Sequence, residues 1–208
     1  MSGPELKSGE YLFPKRASVR DVVETMVEGK VVQHLVTIPE GLTSEQIAAR
    51  LGFTPAEITR LRHMALLHDI GKLAVPNRIL DKRGPLTPDE IFIVREHPRH
   101  TFEILRRVPI FDELALDAGA HHERLDGRGY YLGLDRTKLS KSARVLAVAD
   151  VTDALRADRP YRKGMPADAI ARVLSNDRDT ALCPDAVDAA IDVLGADTPA
   201  PARPALLS

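Results

Sequence analysis

Six side chains in this sequence are of the right kind to share metal ions: His68, Asp69, His97, His121, His122 and Asp150. His68-Asp69 closes an apolar helical run, so an imidazole and a carboxylate stand together at a helix C-terminus. The macrodipole disfavours a lone carboxylate there, which asks for a compensating cation. His97 sits where Pro98 must break a helix, and His121-His122 follow another apolar run. Asp150 continues the Val, Leu and Ala stretch at residues 145–149, where an uncompensated charge is costly. Imidazole and carboxylate donors without cysteine suit Fe, Mn or Zn, and six donors exceed what one tetrahedral ion needs. A two-metal site would make a nucleophile from water at neutral pH and clamp both oxygens of a phosphoester displacement. Taken singly, each of these residues also fits a solvated or core position.

Two neighbouring segments suit the rest of such a reaction. Asp126-Gly127-Arg128-Gly129-Tyr130-Tyr131 follows the paired histidines, and its two glycines let backbone approach a ligand closely, as surface turns also do. Arg159-Pro160-Tyr161-Arg162-Lys163 places three cations just past the Asp150 helix, suited to phosphate oxygens or to an exposed basic turn.

The elements that must position these residues are mostly helices. Thr54-Pro55-Ala56-Glu57 is a capping box with proline at the first helical position, and Ile58, Leu61, Ala65 and Leu66 follow at helical spacing. Thr87-Pro88-Asp89-Glu90 repeats the signal, and further helices are expected over about 110–122, 141–156, 166–175 and 184–194. No strand signal stands out beyond residue 53. Residues 1–52 read instead as a small α+β module, with a helix from Ser18 to Gly29, a strand over 30–38 ending at Pro39, and a short helix over 43–51. The proline-rich tail from Ala196 is expected to be flexible.

Bulk properties agree with such a bundle. With 208 residues, 44% hydrophobic content and no Trp, the core must come from aliphatic side chains packed between helices. Twenty-nine basic residues against 30 acidic ones give a net charge of −1, which argues against long nucleic acid as a partner. The single cysteine, Cys183, and the lack of a signal peptide or membrane span point to the cytoplasm.

Together, His68-Asp69-Ile70-Gly71-Lys72, Glu96-His97-Pro98, His121-His122-Glu123 with Asp126-Gly127 and Gly129-Tyr130, Ala149-Asp150 with Asp153-Ala154-Leu155, and Arg159-Pro160-Tyr161-Arg162 closely resemble the HD-GYP family. The resemblance covers about residues 53–194. It implies a mainly α fold, an HD-type helical bundle over residues 53–195, and hydrolysis of cyclic dimeric GMP, or of a related cyclic nucleotide, by metal-activated hydroxide. It further implies His68, Asp69, His97, His121, His122 and Asp150 as ligands of two divalent ions, Fe or Mn, with Asp69 bridging. Asp69 and Lys72 would be catalytic; Lys72, Arg159 and Arg162 would contact phosphate, and Asp126, Gly129 and Tyr130 would lie in the substrate-binding loop. A cyclic dinucleotide is the expected ligand, and a homodimer or a signalling protein the partner to look for.

The sequence departs from the family in two places. The family's Gly-Tyr-Pro reads Gly129-Tyr130-Tyr131. A further ligand histidine of the family, about thirty residues before the His-Asp pair, falls near Val36, where this chain has none; His34 lies in the strand-like run and His63 is turned away from His68. Residues 5–51 are instead similar to the small LysM-like subdomain of endolytic murein transglycosylases, without that family's catalytic domain. These resemblances suggest a fusion whose junction, near residues 47–53, replaced the first helix of the bundle. They also leave two rival readings: an impaired HD-GYP scaffold that binds nucleotide or a protein, and a peptidoglycan-binding module.

Overall fold

The computed structural model of this chain describes residues 40–158 and 163–196, and all that follows concerns these. The expected N-terminal helix and strand, the tail from residue 197, and Arg159 and Arg162 lie outside them. Contacts divide the chain into two compact units, Met1–Thr37 and Ile38–Ser208, and every described residue belongs to the second.

The two capping boxes form as their sequences require. Thr54 and Thr87 each accept from the backbone N–H three residues on, and Glu57 and Glu90 reach back to the capping N–H, starting α2 (Pro55–Leu67) and α4 (Pro88–Arg95). Between them lie a 3-10 turn, Ile70–Ala74, and the short α3, Asn77–Leu80. Pro98 acts as expected: α4 stops at Arg95 and α5 (His97–Leu105) starts afresh with proline in its first turn. The helix expected over 110–122 is shorter, a 3-10 turn at Pro109–Phe111 followed by α6, Asp112–Gly119. A side chain at Gly119 would meet the Pro98 carbonyl at 3.0 Å, so glycine here lets α6 lie close against α5. The chain then loops to α7 (Lys141–Arg156), capped by Ser140, and finishes with α8 (Ala167–Asp177) and α9 (Pro184–Ala196). Only two isolated bridges, Asp126 to Asp135 and Arg178 to Leu182, interrupt the helical pattern among the described residues.

Helix α7 is the spine. It packs against α2, α6, α8 and α9, and buries Val145, Leu146, Val148 and Ala149. It also packs against α1 (Glu40–Arg50), whose Ile47 and Ala48 are fully buried in the same core. Full burial of a side chain such as Ile47 contributes about 2 kcal/mol. Thr43 at the start of α1 donates to Asp153 of α7 at 2.6 Å. The helix grouped by sequence with the N-terminal module therefore packs with the helices beyond residue 53, because its apolar face has its partners there.

Candidate metal centre

Three helix C-termini converge on one point, and each delivers a histidine to it. His68 caps α2, His97 follows the end of α4, and His121 stands two residues after α6. A helix end leaves carbonyls without an internal partner. Each imidazole fills one of them: Nδ1 of His68, His97 and His121 donates to the carbonyl of Ala65, Val94 and Ala118, all at 2.7 Å and all three residues upstream. This leaves Nε2 facing inward with its lone pair in the neutral ring, the arrangement that prepares an imidazole for metal. All three rings are almost fully buried.

The inward faces meet. Nε2 of His97 lies 3.1 Å from Nε2 of His121 and 3.2 Å from Oδ1 of Asp69, contacts that set lone pair against lone pair when the rings are neutral. His68 Nε2 lies 3.5 Å from Asp69 and 3.8 Å from Asp150, and Asp150 is also 3.8 Å from His122 Nδ1. His68 Nε2 and Asp69 Oδ1 are buried with no hydrogen-bond partner among the described residues. Donor atoms of His97, His121 and His122 form one group within 4.8 Å of one another, and those of His68, Asp69 and His121 form another. Buried donors crowded together and unsatisfied fit a divalent cation.

Protonation follows the same logic. Burial opposes a charge on His68, but the carboxylates of Asp150 and Asp69 outweigh it and push the ring up to about 9. Burial likewise opposes ionised Asp69, yet His97, His68 and Lys72 hold it well below the usual carboxylate range. Asp150, buried among His68, His121 and His122, is held down to about 2. Burial dominates at the other two rings, lowering His121 well below its ordinary value and His122 to about 4. Without metal, the His68 proton supplies the cation that the carboxylates demand.

A pH dependence follows. A raised folded-state value means that His68 stabilises the metal-stripped protein below its unfolded value near 6.5, a contribution lost as pH rises towards 9. A depressed value means that His122 withdraws stability as pH falls from about 6.5 towards 4. Urea unfolding of the stripped protein should therefore peak in midpoint near pH 6.5 and decline on both sides. If His68 is a ligand, metal displaces its proton, so metal affinity should keep rising up to about pH 9; a flat profile above pH 7 would contradict this.

Other residues singled out in the sequence divide. Lys72 joins the centre through an ion pair with Asp69. The Tyr130 ring stacks on His122 at 4.8 Å, and Arg95, which sequence reasoning passed over, lies 5.3 Å above the same ring. Gly129 is needed for packing, since a Cβ there would fall 2.4 Å from the Cα of Glu123 and 2.7 Å from the His122 carbonyl. The Asp126 carboxylate is taken up by Arg124 and the Arg128 N–H, so it builds the turn. Tyr131 adopts φ of 97°, which proline cannot reach, so the loop follows a path closed to the Gly-Tyr-Pro form. His63 is exposed on α2, away from the cluster, as its spacing predicted.

Two buried residues behind the cluster had no clear sequence signal. The Thr101 hydroxyl donates to the His68 carbonyl at 2.6 Å and accepts from the Gly71 N–H at 3.0 Å, tying the His-Asp turn to α5. Glu123 accepts from the N–H groups of Leu132, Gly133 and Leu134 at 2.7, 3.1 and 3.0 Å, holding the loop that carries Tyr130 against His122. Glu123→Ala orphans three amides and should cost about 2 kcal/mol in denaturant unfolding. Because the loop carries Tyr130, its metal-loaded form should also show altered tyrosine fluorescence.

Comparison with known proteins places this architecture. The chain is 44% identical over 142 residues to 3'3'-cGAMP-specific phosphodiesterase 3 of Vibrio cholerae, covering 68% of this chain and 31% of that protein. It is 38% identical over 183 residues to a cyclic di-GMP phosphodiesterase of Thermotoga maritima, covering 86% and 49%. The chain thus spans half or less of these curated relatives. An HDG"Y"P protein from Bdellovibrio bacteriovorus shares the fold, with a TM-score of 0.63 at 24% identity over 76% of this chain and 51% of that one. The profile of the HD domain family matches residues 21–182, running through α1 and through the segment assigned by sequence to a separate module. Both the match and the helical architecture lead to one conclusion: the chain belongs to the HD domain family.

Proposed function

We propose that this chain is a metal-dependent phosphodiesterase whose substrate is a cyclic dinucleotide, cyclic di-GMP or its GMP-AMP counterpart. The observation that carries the reading is the convergence of three carbonyl-capped imidazoles and two carboxylates, with His68 Nε2 and Asp69 Oδ1 buried and unsatisfied. The relatives' names supply the substrate class.

In this reading His68, Asp69, His97, His121, His122 and Asp150 would hold two divalent ions, Fe or Mn. Bound there, such ions activate water at neutral pH and carry the charge that develops on a phosphodiester. The protein does the rest. Each backbone carbonyl fixes its imidazole in orientation and tautomer, so the donor set is preorganised. Lys72, 43% exposed, stands between Asp69 and solvent with ammonium protons to spare for a phosphate oxygen. Arg159 and Arg162 would add phosphate contacts. Tyr130 closes the side next to His122 and limits water there. The bundle unit, on this proposal, includes α1 and so begins upstream of residue 53. No described helix is long and apolar enough to cross a membrane, and we assign the activity to the cytoplasm.

The test is anaerobic loading with iron or manganese, followed by product analysis with cyclic di-GMP and 3'3'-cGAMP. Linear dinucleotide or mononucleotide should appear, and His68→Ala should abolish it. A metal-loaded wild type that leaves both substrates intact would overturn the reading.

A further inference from the structure

Beside the metal centre the surface opens into a cleft of about 610 Å³, walled by α3, the loop after it and α4. Its lining includes Lys72, whose ammonium is bonded to Asp69, so the cleft adjoins a candidate ligand. Leu80, Leu86 and Val94 give it apolar walls, and Lys82 and Arg83 add two cations. Leu80 remains 43% exposed, an apolar surface left open to whatever enters.

The two cations differ in what they are free to do. Lys82 is committed: its ammonium bonds Glu90 at 2.5 Å, and the same carboxylate oxygen takes the Thr87 N–H at 2.7 Å. That double contact pins the 82–87 loop to the start of α4. Arg83, the next residue, is exposed and pairs with no carboxylate among the described residues. A pinned loop thus presents one available guanidinium to a cleft that also has apolar walls.

We propose that this cleft is the subsite for the half of the cyclic dinucleotide that is not being cleaved, with its purine against Leu80, Leu86 and Val94 and its phosphate on Arg83. The inference rests on the phosphodiesterase reading. A cyclic dinucleotide carries two phosphates on one ring, so placing one at the candidate ligands obliges the other, with its nucleoside, to occupy adjoining space. The cleft has the volume of a small-molecule site and the usual mixture of apolar wall and few polar groups. A guanidinium matches a phosphate with two parallel hydrogen bonds, which an ammonium cannot do.

The test compares two substrates on the metal-loaded protein: cyclic di-GMP, which fills both regions, and bis(p-nitrophenyl) phosphate, which lacks the second nucleotide. Arg83→Ala should lower the selectivity for cyclic di-GMP over the small diester about tenfold, through KM, and Arg83→Lys should restore part of it. Calorimetric titration should show cyclic di-GMP binding weakened by a similar factor. If wild type binds and hydrolyses cyclic di-GMP and Arg83→Ala does so with the same KM and affinity, the subsite is wrong while the phosphodiesterase reading stands. If wild type cleaves the small diester but neither binds nor hydrolyses the dinucleotide, the substrate reading falls and the subsite with it.

Discussion

Asp69→Ala should reduce bound metal to one ion per chain or fewer and lower phosphodiester turnover by at least about 10³-fold, with the helical fold retained. The expectation comes from how much of the centre passes through this carboxylate. Its two oxygens lie near His68, His97 and His121, and it is ion-paired with Lys72. Removing it strips negative charge from the place where the His68 ring is pushed up and where two imidazole lone pairs face each other. Asp69→Asn separates shape from charge: it keeps the volume but offers a weaker donor, and should fall between wild type and the alanine variant. Elemental analysis reads the metal, far-UV circular dichroism the fold, and product analysis the turnover. Full metal content together with full turnover in Asp69→Ala would remove Asp69 from the centre.

The parts of this protein that were legible in its sequence are those set by local rules. Thr54 with Glu57 and Thr87 with Glu90 announce helix starts through side chains three residues apart, and both starts form. The six candidate ligands could be gathered because charged or imidazole groups in apolar runs need an explanation wherever the chain folds. What remained hidden depends on tertiary approach. The carbonyls of Ala65, Val94 and Ala118, which orient the rings, belong to the backbone and leave no mark in residue identity. Thr101 reads as an ordinary helical threonine until the His-Asp turn is laid against it. The partner of Asp126 is equally silent in the sequence: Arg124, two residues earlier, bonds both its oxygens. The burial of Ile47 and Ala48 of helix α1 against α7 is likewise a tertiary fact that the spacing of a short helix does not specify.

Gly71→Ala tests whether the centre depends on that tertiary approach, and it should be among the most damaging single-methyl additions in the domain. A Cβ on Gly71 would lie 2.0 Å from the His97 carbonyl oxygen, 2.5 Å from the Thr101 nitrogen and 2.8 Å from its hydroxyl. The first two are backbone atoms of α5, so no side-chain rotation relieves them; the turn and the helix must separate. Separation breaks both Thr101 hydrogen bonds and moves His68 and Asp69 on one element away from His97 on the other. Overpacking against rigid backbone, with two buried hydrogen bonds lost, should cost about 3 kcal/mol or more. The unfolding midpoint should fall accordingly, and metal occupancy should fall even where the protein remains folded. Thr101→Val is the informative companion, because it removes the same hydrogen bonds without forcing the elements apart. If Thr101→Val keeps its metal while Gly71→Ala loses it, ligand spacing is controlled by the closeness of the turn to α5; equal losses would assign that control to the threonine hydroxyl. A Gly71→Ala protein with wild-type stability and metal content would mean that the turn and α5 do not approach as described.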